Sequence, residues 1–191
     1  RSAIKKAQRS GIKVEDLTKT SDLVFFKDIY TKMCKAREID DKELGADAIF
    51  EIYNFLKTRN KGKILIARDN TQRIIGGIIL VSQGISLRYF KGASDIDLRN
   101  QPITHLLLYE AIKNAKAEGY KYFDFWGINH FAEIHDPVYN INHFKKGFGG
   151  YYTFFAKKMN ISLIPNGLML YRIFLQIKKY IFRIHLFEKR H

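Results

Sequence analysis

Residues 62–70 "GKILIARDN", 73–82 "RIIGGIILVS" and 85–94 "ISLRYFKGAS" decide the fold. Each run is apolar or alternating, and Asp69-Asn70 and Gln83-Gly84 part them as turn signals, so the spacing predicts a three-stranded antiparallel meander. Downstream, "ITHLLLYEAIKNAKAEG" (103–119) predicts a helix, with Leu106, Leu107, Ala111 and Ile112 on or near one face, Glu110, Lys113 and Lys116 elsewhere, and Gly119 as its stop. "YKYFDFWGI" (120–128) and "GYYTFFAKKM" (150–159) read as strands rich in β formers, with a short helix or loop between them. Upstream, "RSAIKKAQRSGI" (1–12) carries basic residues at helical spacing and closes at Gly11. "VEDL" (14–17) and "SDLVFFKDIYTKMCKAREI" (21–39) open with acidic or hydroxyl residues and read as amphipathic helix, as does "DAIFEIYNFLKTR" (47–59). The order of elements is that of an α+β or α/β domain with helices flanking a sheet.

The 191 residues, 46% of them apolar, suffice for one well-packed domain. Thirty-three Lys and Arg against 19 Asp and Glu leave a charge of +14, which attracts polyanions: nucleic acid, phosphorylated nucleotides or an anionic bilayer. Cys34 is the single cysteine, in helical "YTKMCKARE" (30–38), so no disulfide framework or Cys/His zinc spacing is expected, and a reducing cytoplasm is the natural compartment. His130, His135 and His143 match no common zinc spacing, so no metal is expected; the segment "FAEIHDPVYNIN" (131–142) reads as a mobile loop. "LMLYRIFLQIKKYIFRIHLF" (168–187) is interrupted by Arg172, Gln176, Lys178, Lys179, Arg183 and His185, the pattern of an amphipathic helix rather than a membrane span. The sequence opens on Arg with no secretory leader, and an upstream part is expected.

Two stretches bear chemistry. "GASDIDLRNQPITHL" (92–106) opens a helix after the meander, where free backbone amides and the helix dipole attract anions; Pro102 suits the first turn and Arg99 adds a bidentate cation. A capped surface helix with a solvated arginine is the plainer alternative. "HFKKGFGGYY" (143–152) gathers two lysines, three glycines and four aromatic rings, either as a ligand-approach segment or as a solvated turn leading into a strand.

The stretch "KGASDIDLRNQPITHLLLYEAIKNAKAEGYKYFDFWGI" (91–128), followed by "FKKGFGG" (144–150), resembles the C-terminal half of the FemABX family, the aminoacyl-tRNA-dependent transferases that build peptidoglycan cross-bridges. "RSAIKKAQRSGIKVE" (1–15) resembles the segment joining that family's two acetyltransferase-like domains, and "YTKMCKARE" its arginine-bearing helix before the sheet. The resemblance implies a GNAT-like fold, a mixed and mostly antiparallel sheet flanked by helices. It divides the chain into an interdomain helix or linker (1–12) from a missing first domain, a GNAT-like domain (13–167) and a C-terminal amphipathic basic helix (168–191).

In such a transferase the aminoacyl ester is already activated, so the acceptor amine needs orientation, a proton route and a stabilised oxyanion. The resemblance assigns Lys145 as the cation at the reacting ester and Phe144 as a ring for the terminal adenine, with Gly147 and Gly149 allowing close backbone approach beside Phe148 and Lys146 contacting phosphate. Arg37 and Arg99 are further candidates for substrate phosphate, although Arg37 equally suits a surface network with Glu38, Asp40 or Asp41. Asp124 is a candidate for orienting or deprotonating the amine, and equally an exposed or salt-bridged strand carboxylate. Trp126 and its neighbouring Tyr and Phe rings read as core first and as ligand contacts second. The implied partners are aminoacyl-tRNA as co-substrate, with no cofactor, a UDP-linked or lipid-linked muropeptide, and the inner membrane leaflet as a peripheral contact.

Two other classes fit the same charge. One is an acyl-CoA-dependent GNAT N-acyltransferase of cell-surface polysaccharide synthesis, although the Arg/Gln-x-x-Gly-x-Gly/Ala signature is absent between residues 88 and 106. The other is a non-catalytic basic module docking on RNA or membrane, for which residues 168–187 are suited.

Overall fold

Strand β3 (Ile74–Gln83) lies at the centre of a five-stranded sheet. Its neighbours follow chain order: β1 (Lys13–Asp16), β2 (Gly62–Arg68), β3, β4 (Ser86–Ser94) and β5 (Tyr122–Asp124). The computed structural model describes residues 2–39, 48–129, 131–154 and 169–174. Strands β2, β3 and β4 form the expected antiparallel meander, with Leu65 opposite Ile78 and Ile78 opposite Gly92. Strand β5 joins β4 in parallel, Leu87 opposite Phe123. Helix α4, spanning Ile103–Ala117, makes that possible by carrying the chain back between the two strands.

Helix α1 (Ser2–Arg9) and α4 cover one face of the sheet, and α2 (Thr20–Ala36) and α3 (Ala48–Arg59) the other. Leu65, Ile75, Ile78 and Leu80 meet Ile103, Leu107 and Ala111 on the first face. Ile64, Ile66 and Ile79 meet Leu23, Phe26, Ile49 and Tyr53 on the second. Burial on both faces explains why β2 and β3 read as nearly continuous apolar runs rather than alternating ones. The Gly76-Gly77 pair sets the spacing of these layers. A Cβ on Gly76 would lie 2.9 Å from Ile103 Cγ2, and one on Gly77 2.7 Å from the Phe26 ring, so the bare backbone lets α4 and α2 close onto β3 from opposite sides.

Several elements differ from the sequence expectation. "VEDL" contributes to an edge strand rather than a helix: Val14 and Glu15 pair with Ala67 and Ile66, and the free edge of β2 satisfies a run too short to hold a helix alone. The strand predicted over 120–128 narrows to Tyr122–Asp124, because Trp126 adopts φ +67°, a left-handed conformation outside the range of a strand. The segment read as a loop contains helix α5 (Pro137–Lys146), opened by a proline whose missing amide costs nothing there. His143–Lys146 of the glycine-rich stretch is therefore the last turn of α5, and residues 151–154 form no strand; residues 155–159 lie outside the described residues.

The chain divides into a unit ending at Phe148 and a second unit over Gly149–His191. In the second, residues 169–174 are helical and Met169, Leu170, Tyr171, Ile173 and Phe174 are exposed; most of the amphipathic run falls outside the described residues. No helix among the described residues is long and apolar enough to cross a membrane.

Gly77→Ala is expected to lower the urea unfolding free energy by about 1–3 kcal/mol through overpacking against Phe26. An unchanged midpoint would show that α2 can retreat without loss.

Candidate active site

Strand β5 shares a ladder with only three residues of β4: Ser86 opposite Tyr122, Leu87 opposite Phe123 and Arg88 opposite Asp124. From there to Ser94, β4 keeps β3 alone as its partner among the described residues. A bulge sits where the strands part, since Tyr89 pairs with Leu80 and Lys91 with Ile79 while Phe90 is skipped. The bulge puts Tyr89 and Gly92 on the α4 face, and the absent Cβ of Gly92 leaves room for the Tyr89 hydroxyl, which would lie 2.7 Å from it. Burial pushes the Tyr89 phenol up to about 12, with Arg37 opposing, so it stays protonated and offers a donor rather than a base.

At the end of β5 both Asp124 oxygens are held. Oδ2 accepts from Arg88 Nε at 2.7 Å, and Oδ1 accepts from the Trp126 amide at 2.7 Å. The second bond is the two-residue side-chain turn that aspartate favours. It fixes Trp126, whose indole is half exposed instead of buried in the core, beneath the Arg88 guanidinium at 4.5 Å and against Phe90 at 5.5 Å. The next residue, Gly127, presents its carbonyl to Lys145 Nζ at 2.7 Å. Lys145 is half-buried in the last turn of α5; desolvation draws its ammonium below the usual lysine range, and the Asp124 charge opposes that shift.

The same turn of α5 is anchored by rings. Phe144 stands edge-on to His105 at 4.8 Å and to Phe148 at 5.5 Å, while Phe148 lies nearly parallel to His105 at 6.0 Å and meets Phe125 at 5.2 Å. Phe144 and Phe148 thus pack on the core of the α4 face, each keeping part of its surface open. Gly147 ends the helix with its amide shared between the His143 and Phe144 carbonyls, and Lys146 and Gly147 are exposed. In the second unit Gly149 and Gly150 adopt φ +81° and +95°, which glycine alone accepts readily.

The structure brings Lys145, Asp124, Phe144 and Phe148 together around the parted strands. It leaves Arg37 exposed at the end of α2 and Arg99 exposed after the short turn Ile96–Leu98, each without an ion pair among the described residues. Glu38 does not pair with Arg37, and Asp40 and Asp41 lie outside the described residues. The sequence reading missed Arg88, His105 and Tyr89. His105 had one available signal, a histidine in the first turn of an otherwise apolar helix face. Arg88 had none, because its partner is set by a parallel register. Among the described residues no three His, Cys, Asp or Glu side chains gather as metal ligands.

A family model described as the acetyltransferase (GNAT) domain matches residues 1–146. The chain belongs to the GNAT acetyltransferase family. Among solved structures this GNAT domain is similar to FemX, at 15% identity and TM-score 0.67, covering 78% of this chain and 53% of FemX, so it spans about half of that protein's length. It is also similar to a possible acetyltransferase from Clostridium difficile 630 (17% identity, TM-score 0.59, 80% of this chain and 99% of the other). A third is a GNAT acetyltransferase from Brucella melitensis in complex with acetyl-CoA (11% identity, TM-score 0.50, 63% and 78%). At these identities the likeness is one of fold, and it agrees with the GNAT-like sheet expected from the sequence. No curated protein matches the chain.

Burial draws the pKa of His105, set between two phenylalanines, below 6.5. The unfolded chain therefore takes up this proton first on acidification. The stability it withholds is intact above about pH 6.5 and falls as pH drops from there through the lower folded value. The urea midpoint of the wild type is expected to fall more steeply between about pH 7 and pH 5 than that of His105→Phe; parallel profiles would assign the slope to other groups.

Proposed function

We propose that this GNAT domain is the donor-side half of an aminoacyl-tRNA-dependent aminoacyltransferase that adds an amino acid to a UDP-linked or lipid-linked peptidoglycan precursor. The observation that carries the reading is Lys145: a half-buried ammonium on the Gly127 carbonyl, where β5 parts from β4, in the Phe-Lys-x-Gly-Phe-Gly-Gly run that resembles the FemABX family. The likeness to FemX and the charge of +14 support it.

In the reaction the acceptor amine attacks the ester carbonyl, forming a C–N bond. The tetrahedral intermediate breaks the ester C–O bond, and the proton leaving the amine ends on the ribose oxygen. Lys145 stabilises the oxyanion, and an ammonium with a lowered pKa passes a proton to the leaving oxygen more readily than an ordinary lysine. The open surface of Phe144, with Phe148 behind it, receives the terminal base. Lys146, Arg37 and Arg99 meet phosphates, and the backbone at Gly147 admits the chain end. The chain covers 53% of FemX, and in this reading a preceding domain completes the acceptor cleft. We place the reaction in the cytoplasm at the inner membrane face, where residues 168–187 make a peripheral contact.

An acyl-CoA-dependent N-acyltransferase is the second reading. It is favoured by the parted, bulged strands and the likeness to an acetyltransferase in complex with acetyl-CoA. The missing glycine-rich signature before α4 weighs against it.

With an aminoacylated, CCA-ended RNA hairpin and a muropeptide acceptor, Lys145→Ala is expected to lower kcat/KM by about 10²–10³-fold. Calorimetry is expected to show no coenzyme A binding. Tight binding of coenzyme A together with indifference to the hairpin would move the assignment to the second reading.

A further inference from the structure

We propose that Asp124 is a positioning residue for Lys145: gripped by Arg88, it fixes the left-handed turn at Trp126 that aims the Gly127 carbonyl at the lysine's ammonium. The inference rests on the proposed function in that Lys145 is the cation of the transfer. Its geometry is a continuous chain of short contacts: Arg88 Nε to Asp124 Oδ2 at 2.7 Å, Asp124 Oδ1 to the Trp126 amide at 2.7 Å, and Gly127 carbonyl to Lys145 Nζ at 2.7 Å.

Trp126 is the strained link. A bulky residue at φ +67° is disfavoured relative to ordinary backbone, and such outliers persist only where their surroundings enforce them. Here the enforcement is visible: a carboxylate takes the amide, a guanidinium covers the indole at 4.5 Å, and Phe90 meets it at 5.5 Å. Gly127 has no such enclosure. A Cβ placed on it would meet nothing within 4 Å among the described residues, and in this proposal the turn before it directs its carbonyl. Lys145 arrives from a different element, 18 residues further on, and Asp124 is the charge that acts on it. A carboxylate with both oxygens committed is poorly placed to take the acceptor's proton. It is well placed to hold the backbone that holds the cation.

The test separates turn from charge. Asp124→Ala removes both; Asp124→Asn removes the charge but keeps an oxygen for the Trp126 amide. The readout is the Lys145 titration, followed by the 13C shift of its ε carbon and assigned by its loss in Lys145→Ala. If Asp124 positions the turn, the ammonium in Asp124→Ala loses its carbonyl and swings out into water, where regained hydration outweighs the lost Asp124 charge and it titrates upward toward the ordinary lysine range, whereas in Asp124→Asn it stays in place and titrates below wild type. If both variants shift downward, or neither shifts, the proposal is overturned. Trp126→Pro gives a second arm in case Asp124→Ala fails to fold: proline holds φ near −65° and lacks the amide, so the turn is lost with Asp124 and Arg88 unaltered. Its Lys145 is expected to titrate upward; no shift counts against the proposal. Transfer by Asp124→Ala is expected to fall about a hundredfold in kcat with KM little changed, and to be largely restored in Asp124→Asn. The expected titration pattern with full activity in Lys145→Ala would sink the functional reading while leaving the positioning intact. A dead Lys145→Ala without that pattern would sink the positioning alone.

Discussion

Strands β4 and β5 stay paired for three residues because Asp124, the last of them, turns its carboxylate back onto the Trp126 amide and sends the chain into a left-handed bend. A strand cannot continue through such a residue, so the ladder stops and the two backbones part. The site follows from that interruption. The bulge at Phe90 falls at the same level, the Gly127 carbonyl emerges just beyond it, and the last turn of α5 comes back to meet that carbonyl with Lys145.

The cation there is held between opposing influences. Taking an ammonium partly out of water is unfavourable, which draws the Lys145 pKa down, and the charged Asp124 pulls the other way. A charge-assisted hydrogen bond to a backbone acceptor, in the range of about 1.5–3 kcal/mol, offsets part of the lost hydration. The rings of Phe144 and Phe148 keep α5 against His105 and the α4 side of the sheet, so the lysine is presented from an anchored helix rather than from a free loop. The +14 charge of the chain adds a long-range attraction for polyanions that these short contacts do not supply.

The sheet depends on a similar economy of space. Strand β3 is covered on both sides, and two consecutive glycines let Ile103 and Phe26 approach it from opposite helices. With side chains there, the two helical layers would stand further from the sheet, and the α4 start, the bulge and the end of β5 would shift with them.

The meander, α2, α4 and the glycine just beyond α4 were legible in the sequence because each rests on local signals: β-branched runs between turn pairs, helical periodicity, a glycine where a helix must stop. The grouping of Phe144 and Lys145 with the glycines was also visible, carried by a resemblance rather than by geometry. Sequence spacing misassigned "VEDL", which reads as helix until a distant partner, the free edge of β2, claims it, and the end of "YKYFDFWGI", which a local turn of Asp124 onto the Trp126 amide closes early. Arg88 and Asp124 stand 36 residues apart and meet only because a parallel register puts them opposite one another. The amino-acid sequence by itself determined the three meander strands, the helices α2, α3 and α4 and that the chain is cationic, since propensity, periodicity and charge are properties of neighbours along the chain. Only the tertiary structure decided where the sheet opens and which carbonyl holds the lysine, because those depend on register and helix docking, which join residues remote in the chain.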